Sequence, residues 1–227
     1  MVKKFIHRVK NMPRDLALFF IISFSVGLAA NLVDSTLNNY LNETYTLTGF
    51  QRSFLEFPRE LPGFLVVFIS ALFWFLGSRR LGFFSLLLYA AGILLLGIIP
   101  GNYGILVIFL FTYSLGMHLF MPVQTTIGME LAADGRTGAR LGQMNAVRNM
   151  AMIVGAGLVF FGFKYLHFTY KFNFILTVVV LVFAAALMLL MSPQKVELSP
   201  SFLQLRKEYG IFYMLAKIGR ASCRERV

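Results

Sequence analysis

Apolar residues in this chain come in long runs separated by short polar stretches, and the runs have the length of a bilayer-crossing helix. A helix rising about 1.5 Å per residue needs about 20 mostly apolar residues to cross the hydrocarbon layer. Six segments qualify: Leu16–Leu41, Phe50–Leu76, Leu81–Ile99, Gly104–Met129, Leu141–Tyr165 and Phe172–Met191. The connections are short, as between antiparallel neighbours, and Pro100-Gly101-Asn102 marks one turn. Beyond Met191 a polar stretch with Pro193 and Pro200 leads to Tyr209–Ala216, which reads as the start of a seventh helix. The expected organisation is an all-α, polytopic membrane bundle over 1–191, a linker over 192–208, the beginning of a further helix over 209–217 and a tail over 218–227.

Composition agrees with the pattern. The chain of 227 residues is 58% apolar with a mean hydropathy of +0.72. Charged residues make up 14%, against roughly a quarter in ordinary globular domains. A soluble fold of this size could not bury 25 Phe, so a cytosolic enzyme, a disordered tail and a disulfide-built secreted module are excluded. The single cysteine, Cys223, has no partner for an internal disulfide. It lies in Ile218–Val227, a string that resembles a sequencing-library adapter translated in frame. The tail is therefore read as non-native rather than as a genuine basic tail, and the natural chain is expected to continue past Lys217.

The net charge of +11 would suggest nucleic acid until the basic residues are placed. Lys3, Lys4, Arg8, Lys10 and Arg14 precede the first segment. Arg79 and Arg80 lie in the second connection, Arg136 and Arg140 in the fourth, and Lys195, Arg206, Lys207 and Lys217 after the sixth. The opposite side has only Lys164 and Lys171. By the positive-inside rule both ends of the six-segment unit face the cytoplasm of a cell membrane. The basic excess is a topology signal, and no nucleic-acid partner is expected. A cleavable signal peptide over Leu16–Ala30 is the competing reading; cleavage would delete a helix and invert the remaining charge pattern.

Ionisable groups inside a bilayer are costly, so each needs a partner or a water-filled cavity. The third and sixth segments are almost purely apolar. The first, second, fourth and fifth carry Asp34, Arg52, Glu56, Arg59, Glu60, His118 and Arg148. Two triplets, each with a greasy third member, point to two three-helix repeats with four helices around a polar interior. The third helix of each triplet would then face lipid.

Helical phase agrees. Asn31, Asp34, Ser35 and Asn38 share an arc of about 100° on the first segment, and Arg52, Glu56, Arg59 and Glu60 share one on the second. By rise, Asp34 stands about 27 Å from the inner face and Arg59 and Glu60 about 24–26 Å. Mutual pairing of these groups would lower their desolvation cost. They are the candidate coupling or gate residues; the plain alternative is a wet cluster at headgroup level that ties two helices together. A deeper layer has Ser114, His118, Met121 and Thr125 on one face of the fourth segment and Asn145, Arg148, Asn149 and Met152 on one face of the fifth. Secondary transporters place their binding sites near such mid-depth. Asn31, Asn38, His118, Asn145 and Arg148 are the candidate substrate cavity, with Arg148, which stays charged, as the sharpest signal.

At this point the chain resembles the N-terminal half of a major facilitator superfamily transporter, from Leu16 to Lys217. Six helices with cytoplasmic ends, a central linker and a seventh helix beginning match that family's half-plus-linker plan. In the family, helices one, two, four and five line the cavity, and the fold is built of inverted three-helix repeats. Its signature between helices two and three runs roughly G-x-L-A-D-R-x-G-R-R-x-L. In the stretch from Ser70 to Leu81, Leu72, Gly77, Arg79 and Leu81 match, whereas Ser70, Trp74 and Phe75 replace the Gly, Asp and first Arg. Loss of the Asp removes one anchor of the family's cytoplasmic charge network. Thr112 stands where the helix-four arginine would be, and Gly155-Ala156-Gly157 replaces the antiporters' Gly-Pro pair. Gly155 and Gly157 are expected to permit close helix packing.

The resemblance implies secondary active transport of a small solute by alternating access, coupled to an ion or a proton, with the second half of the chain and the bilayer as partners. No cofactor and no metal are expected, since His-Glu-x-x-His, a cysteine cluster and a phosphate loop are all missing from the sequence. The alternatives are an intramembrane, protease-like enzyme and a non-transporting membrane scaffold.

Overall fold

The computed structural model describes residues 12–99 and 101–192. The lysines and Arg8 before Met12, Pro100, and everything from Pro193 onward, including the expected linker, seventh helix and tail, lie outside the described residues. Among the described residues the chain is helical, with no strand: α1 (Arg14–Thr44), α2 (Gly49–Phe54), α3 (Glu56–Leu72), α4 (Gly77–Ile98), α5 (Tyr103–Glu130), α6 (Thr137–Tyr165) and α7 (Tyr170–Leu189). Five of them, α1, α4, α5, α6 and α7, are long and apolar enough to cross a membrane, and the chain is a membrane-embedded helical bundle.

The second apolar segment departs from the expectation of one continuous helix. It is divided into α2, α3 and a single 3-10 turn, Trp74–Leu76. Thr48 opens α2 with a capping box: its Oγ1 accepts from the Gln51 N–H, and Gln51 Oε1 accepts from the Thr48 N–H at 3.0 Å. Pro58 then supplies no N–H for the Phe54 carbonyl, so the backbone ladder is interrupted at Leu55 and restarts as α3. A second proline, Pro62, lies inside α3. At the far end Gly77, with φ +70°, takes the left-handed conformation that reverses the chain into α4.

Packing is pairwise. α4 lies against α5 and α7, α1 lies against α6 and α7, α3 lies on α5, and α5 and α6 touch lightly. Glycines set the closest approaches. A Cβ on Gly116 of α5 would stand 2.2 Å from the Tyr89 nitrogen of α4, and one on Gly92 would stand 2.3 Å from the Tyr113 nitrogen. The α1–α6 pair uses Gly27, against the Arg148 backbone, and Gly155, 3.0 Å from the Asn31 Cβ. Gly157 meets open space, so of the two glycines expected to serve packing only Gly155 does.

The third and sixth segments, α4 and α7, are two-faced. Leu86, Tyr89, Ile93 and Leu96 of α4, and Phe174, Leu181, Ala184 and Met188 of α7, are buried. Phe84, Leu94 and Ile98, and Val179, Val182 and Phe183, remain exposed, as lipid contact requires. The sixth segment is also less purely apolar in its role than its composition suggests. Asn173 is fully buried and its Nδ2 donates to the Leu32 carbonyl (2.9 Å) and to Thr36 Oγ1 (3.0 Å), fastening α7 to α1.

Candidate functional site

The outermost contact between the first two segments is Arg52 Nη2 donating to Asn38 Oδ1 at 2.5 Å. This is a charge-assisted hydrogen bond to a neutral acceptor, whereas the sequence suggested acid–base pairing between these helices. The acids and bases are arranged otherwise. Arg59 Nη1 lies 3.5 Å from Glu56 Oε1, one turn away on its own helix, and Glu60 is exposed. Asp34 makes no hydrogen bond or ion pair among the described residues, yet it lies in the fields of both Arg59 and Arg148. Three helices thereby bring charge to one region: α1 with Asp34, α3 with Arg59 and α6 with Arg148. The local i,i+3 geometry gives Arg59 a partner without any inter-helix fit, which is why the cross-helix pairing does not form.

Below this region Pro62 shapes the contact between α3 and α5. Pro62 supplies no N–H for the Pro58 carbonyl, four residues before it, and bends the helix. The Ser114 hydroxyl of α5 donates to the Arg59 carbonyl, three residues before Pro62. His118 completes the arrangement: its Nδ1 lies 2.9 Å from the Ser114 carbonyl and 3.0 Å from Ser114 Oγ. With Oγ donating to Arg59, Nδ1 carries the proton and donates. The other edge of the ring packs on Gly63, where a Cβ would come within 3.2 Å of His118 Cδ2. Pro122, four residues on, lies inside α5 and supplies no N–H for the His118 carbonyl. Tyr113, beside Ser114, is buried with its hydroxyl unpartnered, and it interacts electrostatically with Arg59.

On the other pair, Arg148 packs its backbone and Cγ on Gly27 of α1, and Asn31 packs on Gly155 of α6. Gly27 is seven residues before Asp34, about 10 Å along α1. Arg148 is half-buried, and Asn145 and Asn149 are exposed on the same helix. Deeper still, Gln124 Nε2 of α5 donates to Ser23 Oγ of α1 at 3.3 Å. Of the expected cavity residues, Asn31, Asn38 and Arg148 lie along the α1 stripe, and Asn145 is on the α6 face beside it. His118 belongs to the α3–α5 pair and makes no hydrogen bond to Arg148 or Asn145. Ser23, Tyr113 and Gln124 were not singled out from sequence: a lone Ser, Tyr or Gln within an apolar run carries no periodic signal.

At the opposite end, the turn into α4 carries a charge contact. Arg79 Nη1 lies 3.0 Å from Glu130 Oε2 at the end of α5, and Ser78 Oγ donates to Glu130 Oε1 at 3.1 Å. Both side chains are largely shielded, at 14% and 24% exposure. Glu130 thus anchors Arg79 from the end of α5. Leu72 is exposed, Leu81 is half-buried and Gly77 makes the turn. Among the described residues no cluster of three or more His, Cys, Asp or Glu is placed to hold a metal ion. No known family model matches the chain, and no curated protein matches it either.

Proposed function

We propose that this bundle is the first six-helix half of a secondary transporter of the major facilitator type, moving a small solute by rocking against a second bundle. The observation that carries the reading is the convergence of Asp34, Arg59 and Arg148 from α1, α3 and α6, next to the Ser114–His118 support on α5. The packing pattern supports a repeat. Exchanging the first three segments with the last three turns the α1–α6 pair into α5–α3, turns α1–α7 into α5–α4 and leaves α4–α7 unchanged. The glycine contacts follow the same exchange, Gly63 on His118 answering Gly155 on Asn31.

In this reading a second bundle covers the apolar faces that α3 and α6 leave open, at Phe64, Phe68 and Leu72 and at Met150, Ile153 and Phe161. Asp34, unpaired between two arginines, is the carboxylate placed to exchange partners as the bundles rock, with Glu56 and Glu60 beside it. Arg148, with Asn145 and Asn31, offers an anionic or polar solute its donors. Solute uptake by vesicles carrying the bundle together with its second half tests the proposal. Arg148→Ala should weaken substrate affinity, and Asp34→Asn combined with Glu60→Gln should abolish pH-driven uptake. Unchanged affinity removes Arg148 from the solute surface, unchanged coupling removes the carboxylates, and absence of any flux removes the transporter reading.

A further inference from the structure

A cleft of about 360 Å³ opens between α1, α6 and α7 at the end of the bundle away from Arg79. It is lined by Ser35, Thr36 and Asn39 of α1, Val159, Phe160, Phe163 and Lys164 of α6, and Tyr170 of α7. Both α6 and α7 pack along α1, and they approach each other where Phe163 and Tyr170 bring their rings to 5.3 Å beside the connecting loop. At about 100° per residue, Ser35 and Asn39 point between the directions of Asn31, which meets α6, and Thr36, which meets α7. Ser23 and Tyr40, which meet α5 and α4, point to roughly the opposite side of α1. The cleft therefore opens away from α4 and α5, towards the surroundings of the bundle.

Its chemistry is graded along the membrane normal. Lys164 and Asn39 stand at the outer rim, and Val159 lies about 7 Å further in along α6. The Lys164 ammonium sits 5.2 Å from the Phe160 ring centroid and 5.3 Å from that of Tyr165, and it makes no ion pair among the described residues. None of the lining residues is acidic. Glu43, next to the cleft, is engaged by the Tyr170 hydroxyl at 2.7 Å, and Thr36 spends its hydroxyl on the Leu32 carbonyl. Ser35 likewise donates its hydroxyl to Asn31 Oδ1 at 3.1 Å, so what remains is the Lys164 cation with the Asn39 amide at the rim, and aromatic and aliphatic walls below. That is the polarity of a phospholipid standing upright.

We infer that this cleft holds one anionic phospholipid from the surrounding leaflet, its phosphate on Lys164 and Asn39 and its acyl chain against Val159 and Phe160. The inference requires only that the helices lie in a bilayer. Native mass spectrometry of the purified chain, titrated with phosphatidylglycerol or phosphatidylcholine, tests it. One phosphatidylglycerol should be retained about fivefold more tightly than phosphatidylcholine, the factor expected of one lysine near an anionic headgroup. Lys164→Gln should remove the preference, Lys171→Gln should leave it, and Ser35→Phe, which fills the cleft without changing charge, should lower retention of both lipids. Millimolar inorganic phosphate should not displace the lipid. Equal loss in the two lysine variants, full retention in Ser35→Phe, or displacement by free phosphate would each overturn the assignment.

Discussion

The α4–α5 crossing allows a sharp test because the space at each glycine is known. Gly116→Ala places a methyl group where the Tyr89 nitrogen lies 2.2 Å away and the Ser85 carbonyl oxygen 2.7 Å away. Both atoms are backbone, so no side chain can swing aside. Restoring an ordinary 3.4 Å contact means opening the crossing by about 1.2 Å. A gap of about 1 Å forfeits roughly a quarter to a half of the dispersion energy of the atoms that line it. For a crossing flanked by buried Leu86, Tyr89, Ile93, Leu110 and Tyr113 that loss is about 3–5 kcal/mol, at roughly 0.1–0.2 kcal/mol per atom pair. Alanine returns about 1 kcal/mol through its higher helix propensity, leaving a net cost of about 2–4 kcal/mol. Gly157→Ala gains the same propensity and meets nothing within 4 Å, so it should be neutral or stabilising. Reversible denaturant titration of the chain in mixed micelles, followed by helix content, measures both. Adding Gly92→Ala to Gly116→Ala should cost less than the sum, since the first methyl already parts the helices. Gly116→Ala no more destabilising than Gly157→Ala would refute the packing argument.

Other expectations concern polar contacts. Ser114→Ala should cost about 1 kcal/mol by removing the hydrogen bond that its hydroxyl donates across to the Arg59 carbonyl; an unchanged stability would contradict a role for this contact in holding α3 on α5. Arg79→Ala should cost about 1–3 kcal/mol by removing the 3.0 Å Arg79–Glu130 ion pair from a largely shielded site, read from the same titrations; an unchanged stability would contradict a structural role for the pair. Asn173→Ala should cost about 1–2 kcal/mol through two lost hydrogen bonds to α1 and increase hydrogen exchange at the start of α7; unchanged exchange there would argue that packing alone holds α7.

The spans were legible because apolar runs of bilayer length have few other uses, and all but one appear as single long helices. The exception, Phe50–Leu76, reads as one run, although Pro58 within it interrupts the backbone ladder. Gly77, singled out as a match to the loop signature, takes φ +70° and makes the turn into α4. The polar stripes of α1 and α3 were visible as periodicity. Their partners were not, because periodicity gives the direction of a side chain on its own helix and leaves the sliding register between helices open. A slide of one turn, about 6 Å, decides whether Arg52 meets Asn38 or Asp34. For the same reason Glu130 was not recognised as the partner of Arg79, nor Asn173 as a bridge within a segment assigned to lipid. Gly155 and Gly157 look alike in sequence; only the neighbouring helix distinguishes them.

Everything functional in this account depends on one face of α1 and α6 being wet while the outward faces of α4 and α7 are not. Single cysteines introduced in a Cys223→Ser background at Asn38, Asn145 and Arg148, and at Leu94, Val179 and Phe183, can be exposed in membrane vesicles to a charged, membrane-impermeant maleimide. Rapid labelling of the first three with little reaction at the last three is the expected result; equal labelling of the two sets, or protection of Asn145 and Arg148, would contradict a water-accessible interior.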